Sequence, residues 1–208
     1  MDAAARQLKE FAERNSHLNH VLQPSTPEIA SLLTILCQPA EAERLEGLPT
    51  DQYLSVSTYA RNVSEVMDVY DKISADAPQE DITHNIQQLG ACFDATFWAS
   101  RAAIVMFEKF FARTPSLSHD PAAKLARTKL YANILLVIEG GLEAFKLDGL
   151  GSGWCDARLR PLVSLIETAA PMMDRQQKDL LRVAVRQGQT CSPAARIALQ
   201  PFAHVAQR

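Results

Sequence analysis

Between Val56 and Ile73 the apolar residues of this chain return every three or four positions: Val56, Tyr59, Val63, Val66, Tyr70 and Ile73. That spacing gathers them on one face of an α-helix and scatters them over both faces of a strand. Tyr53 to Tyr59 taken alone alternates polar and apolar as a strand does, yet a strand cannot carry the pattern on to Ile73. The same spacing recurs along nearly the whole chain. It predicts an all-α protein, a multi-helix bundle of about seven to eight helices with two long central ones.

Local signals place the helices. Asp2 is positioned to cap a first helix carrying Leu8 and Phe11. Ser25 to Glu28 has capping-box spacing with Pro27 in the first turn, and Ile29, Leu32, Leu33 and Leu36 form the stripe that follows. Pro39 stops that helix, a short acidic helix runs from about Ala40 to Glu46, and Thr50 caps the next. After a polar linker, Asp81 opens the longest helix, to about Arg113, roughly 48 Å at 1.5 Å per residue. Its apolar residues lie on two sides, Phe93 and Phe107 on one and Trp98 and Val105 on the other, as in the centre of a bundle. Gly90 inside it costs about 1 kcal/mol relative to alanine and permits a close crossing. Asp120-Pro121 opens a second long helix, in which Gly140-Gly141 is expected to form a kink. Three shorter helices follow, one from about Asp156 to Ala170, one capped by Asp174, one opened by Ser192-Pro193. The chain reads as a single domain over 1–208, with 149–155 as the point where a shorter C-terminal helical part, 156–208, would divide from the rest.

With 208 residues, 47% of them hydrophobic, the chain can bury a core without help from metals. A net charge of −3 gives no field that favours nucleic acid or anionic lipid. The longest apolar run, Ile134 to Ile138, falls far short of the roughly 20 residues a membrane span needs. The N-terminal MDAAARQLKEF lacks the basic start and apolar core of a signal peptide. Two readings follow: a cytoplasmic chain, or a periplasmic one whose Met1 stands where a signal peptide was removed.

Residues 148–155, DGLGSGWC, hold three of the eight glycines. A dinucleotide loop is GxGxxG between a strand and a helix. Here the spacing is GxGxG after a helix, so the stretch reads as a joint between helices. Cys155 closes it, and Cys191 falls at a second joint. A bridge between them would close a loop worth roughly 3 to 4 kcal/mol in the chain-entropy model. Cys37 and Cys92 remain, either as a second pair or as core thiols. Neither CxxC nor a Cys/His cluster is present, and no motif implies a cofactor or a bound metal.

Other candidates carry weaker signals. His17 and His20 lie one turn apart, as do Asp81 and His84, but the paired Glu-x-x-His of di-metal bundles is missing. Asp94 and Glu139 sit in apolar runs, where a raised pKa would suit a general acid, yet Asp94 shares a helix side with Arg101 and Glu108, and Glu139 precedes Glu143 by a turn. Arg175, Lys178, Arg182 and Arg186 line about 80° of one helix. They form either a solvated face or a docking stripe for an acidic partner. No aromatics interleave with them as stacking on nucleic acid would require.

The expectation is a non-catalytic protein-binding module. Its most concrete form is a bacterial immunity or inhibitor protein that neutralises a toxin or enzyme by direct binding. The alternatives are a cytosolic helical regulatory or adaptor protein, dimeric through its long helices, and an enzyme with a site in the bundle built on Asp94, Glu139 or His84.

Overall fold

The computed structural model describes residues 1–15, 23–74 and 78–203, and every regular element among them is helical. In order they are α1 (Asp2–Arg14), α2 (Pro27–Leu36), α3 (Pro39–Arg44), α4 (Tyr53–Ser74), α5 (Gln79–Gln88), α6 (Gly90–Arg113), α7 (Pro121–Ala144), α8 (Ser152–Ala169), α9 (Arg175–Gly188) and α10 (Pro193–Ala203). The all-α class holds, with more helices among the described residues than the seven to eight expected. His17 and His20 lie outside the described residues.

α6 and α7, 24 residues each, are the long pair. α6 runs through the middle, packed against α3, α4 and α8, while α9 lies on α7 and α10. The main core joins Leu8, Ile29, Leu36, Phe97, Ile138, Leu162 and Leu199 from six helices. Two smaller apolar clusters, around Trp98 with Tyr59 and around Met106 with Val56, fix α4 to α6.

The long helix expected over 81–113 is two helices. It begins at Gln79 and breaks at Leu89, whose φ of −82° and ψ of 9° leave the helical region. A side chain of α8 lies against the break. The Arg158 guanidinium lies across Gly90, where any Cβ would collide with it, and Arg158 Nε donates to the Gly90 carbonyl at 3.3 Å. Gly90 does serve a close approach, but of a side chain rather than of a helix.

Gly140-Gly141 makes no interruption, for α7 is continuous through both. α8 starts at Ser152, earlier than expected, so Gly153 and Cys155 are helical and Gly151 is its N-cap. The box expected from Ser25 does not form, because Thr26 is the N-cap of α2, without a side-chain cap. Asp2 is the first residue of α1 rather than its cap, and its carboxylate accepts a hydrogen bond from the Asn62 amide of α4 instead. Asp174 does cap as expected: it accepts from Gln177 N at 2.8 Å while Gln177 Oε1 accepts from Asp174 N at 3.0 Å.

Candidate functional site

The DGLGSGWC stretch is built as a joint. Gly149 has φ +92°, a conformation that costs glycine little, and it turns the chain out of α7 toward α8. Thr83 Oγ1 donates to the Asp148 carbonyl at 3.1 Å, and Trp154 Nε1 donates to the Gln87 carbonyl at 3.1 Å. Trp154 meets Phe93 edge-on at 5.5 Å and carries the Arg158 guanidinium 4.4 Å above its ring. The joint is therefore nailed to α5 and α6.

The four cysteines form two pairs at disulfide distance. Cys37, at the end of α2, meets Cys92 of α6 with Cα atoms 4.5 Å apart, and Cys155 of α8 meets Cys191 in the α9–α10 turn with Cα atoms 6.4 Å apart. Beside the second pair the Ser192 hydroxyl donates to the Asp156 carboxylate, holding the same two segments together.

The acids expected in apolar surroundings stand apart from each other. Asp94 faces α8, 3.8 Å from Arg158 Nε, with Oδ1 buried and hydrogen-bonded to nothing among the described residues. Burial pushes its carboxyl up to about 6 against the pull of Arg158. Its expected companions are engaged elsewhere. Arg101 pairs with Glu46, and Glu108 accepts from Arg127 and from the Tyr131 hydroxyl. Glu139 lies on α7, its carboxyl raised by burial and by the neighbouring Glu143. His84 is exposed on α5, its ring paired with the Gln88 amide. No group of three or more His, Cys, Asp or Glu comes together among the described residues.

The arginine-rich stripe of α9 is half committed to the fold. Arg182 is held by Asp179 and the Lys178 carbonyl, and Arg186 points to the Ala203 carbonyl of α10 at 3.4 Å. Arg175 and Lys178 make no ion pair among the described residues. Other charges are paired inside the fold as well. Arg160 of α8 pairs with Glu43 of α3, and Arg101 and Arg160 flank the Trp98 ring at 5.8 and 5.3 Å.

Sequence reasoning missed a cleft. It has a volume of about 440 Å³, within the range of small-molecule and side-chain pockets. Ser64, Met67, Asp68 and Tyr70 of α4 form one wall, Leu136, Val137, Gly140, Gly141 and Ala144 of α7 the other, Phe93, Thr96 and Phe97 of α6 the floor, and Ile82 and Ile86 of α5 one end. The sequence placed these residues in separate apolar stripes, and only the packing brings them together. Two local signals mark it. Leu136 is 65% exposed at the lip. Gly140, one turn on, has nothing within 4 Å of a built Cβ. Gly141 has an internal reason to be glycine, since a Cβ there would come within 2.5 Å of the Phe97 ring. Gly140 has none.

Compared with protein-family models, curated proteins and solved structures, the chain matches none.

Proposed function

We propose that this chain is a non-catalytic protein-binding module of an oxidising compartment, and that it acts as an immunity or inhibitor protein, holding a partner protein through the cleft between α4 and α7. The observation that carries the reading is Gly140. A glycine inside a helix costs about 1 kcal/mol relative to alanine, and nothing among the described residues asks for it there. A bare backbone on an apolar cleft suits an occupant from outside that approaches closely. The two cysteine pairs support the compartment, since disulfides persist where the environment oxidises. The periplasm is the compartment proposed. With Arg182 and Arg186 engaged inside the fold, the basic stripe of α9 offers a partner only Arg175 and Lys178, so the cleft is the stronger face.

The test is a photo-crosslinker in place of Leu136, introduced in the native host. The expected result is one discrete protein adduct, lost when Gly140→Leu is added to fill the cleft. The adducted protein, purified, should lose its own activity as the chain is added. Irradiation that yields no adduct, or adducts indifferent to Gly140→Leu, would remove the cleft as the binding face. An adduct whose activity is unchanged would keep the binding module and discard the inhibitor.

A further inference from the structure

We propose that the occupant of the cleft is one face of an amphipathic helix of the partner, its apolar residues flanked by lysine or arginine. This rests on the protein-binding reading above and adds the chemistry of the partner. Three features argue for it.

The first is shape. From Leu136 to Ala144 the α7 wall runs about 12 Å along its axis, or two turns. The cleft is open along that length, and Leu136 stands out of it into solvent. A small ligand would leave that leucine uncovered, whereas a helix laid in the groove covers it. The second is the bare surface at Gly140, one turn from Leu136 on the same side. Packed helices lie about 8 to 10 Å apart depending on the side chains between them, and a glycine at the contact permits the short end of that range.

The third is charge. Among the described residues, the charged ones lining the cleft, Asp68 and Glu143, are both acids. Glu143 is neutralised by Lys146 at 2.5 Å, whereas the exposed Asp68 carboxylate has no partner among the described residues. Glu139 adds a half-buried carboxylate beside Glu143. Cationic side chains flanking an apolar stripe complement this rim. A second copy of this chain, seated through the same face, would bring the same carboxylates into the contact, so the rim disfavours a homodimer here.

The experiment uses the full oxidised chain and three probes in calorimetric titration. Two are helical peptides of about 18 residues, long enough to hold a helix, with the same leucine and alanine stripe, one flanked by lysine and the other by glutamate. The third is decylammonium. The expected result is one-to-one binding of the lysine peptide, with the glutamate peptide at least about tenfold weaker. Gly140→Leu should weaken the lysine peptide by about tenfold, and Asp68→Asn, a change at an exposed residue, should narrow the gap between the two peptides. Asp68→Asn should keep the parent's circular dichroism and melting behaviour, since Asp68 is exposed, and Gly140→Leu should keep the circular dichroism and melt no lower than the parent, since a side chain at 140 meets open space. Equal binding of the two peptides, or lysine-peptide binding untouched by Gly140→Leu, would overturn the proposal. So would decylammonium binding with neither peptide bound, which would make the cleft a small-ligand site. The crosslink at Leu136 separates the two readings. A cleft-dependent protein adduct with no preference for the lysine peptide leaves the binding module standing and removes the basic helix alone.

Discussion

At Asp94 a carboxylate is held partly out of water, and the one cation near it is not close enough to repay the loss: Arg158 Nε is 3.8 Å away, beyond hydrogen-bonding distance. Its folded pKa of about 6 lies above the value of about 3.9 expected in the unfolded chain. The folded state therefore binds the proton more tightly. No stability is lost below about pH 4, and a cost develops as pH rises from there through about 6. Asp94→Asn removes this titration and serves as the reference. In urea melts of both proteins, the unfolding free energy of the parent relative to the variant should fall by about 1 to 3 kcal/mol between pH 4 and pH 7. A difference that stays flat would mean that water reaches the carboxyl in solution. The sequence showed Asp94 in an apolar run, but it offered Arg101 and Glu108 as neighbours. The true partner is 64 positions away, on a helix whose approach depends on the joint at Gly149.

At the scale of the helix, α7 carries two adjacent glycines with opposite reasons. Gly140→Ala should stabilise the protein by up to about 1 kcal/mol, because it removes the helix penalty of glycine and meets no obstacle. Gly141→Ala should destabilise it by about 1 to 3 kcal/mol, because the buried Phe97 ring must shift to make room. Thermal melts of the two variants read the contrast directly; a rise or a fall in both would show that the glycines are equivalent. In sequence the two are indistinguishable, which is why an interruption was expected where the helix is continuous. The same limit explains the break at Leu89. Apolar periodicity runs across it unbroken, and the group that meets Gly90 there is an arginine 68 positions away on α8. Helix identity, and starts such as Asp120 and Asp174, were legible because they depend on residues within one turn. The start of α8 was not, because three glycines concealed that the last of them is already helical.

Across the whole molecule the cysteine pairs tie distant parts together. The protein taken from its native host, denatured and alkylated without reductant, should take up no label. Four labels would withdraw the oxidising compartment. Replacing Cys155 and Cys191 together by alanine should lower stability by about 4 kcal/mol in the chain-entropy model. The partnership of Cys155 with Cys191 was readable because both lie close to joints between successive helices, Cys155 in the first turn of α8 and Cys191 just before α10. The cleft was not, because its four sides come from four helices and each side, seen alone, is an ordinary core stripe. The two cross-links also divide the chain in their own way. One locks 55 residues and the other 36, and the stretch between Cys92 and Cys155, which holds α7 and most of α6, belongs to neither. Held by its ends and pulled, the oxidised molecule would stretch about 300 Å less than the reduced one, at about 3.4 Å per residue. Tension could draw out the two ends and that unlocked middle, so the α7 wall of the cleft could be pulled away while both covalent loops were still closed.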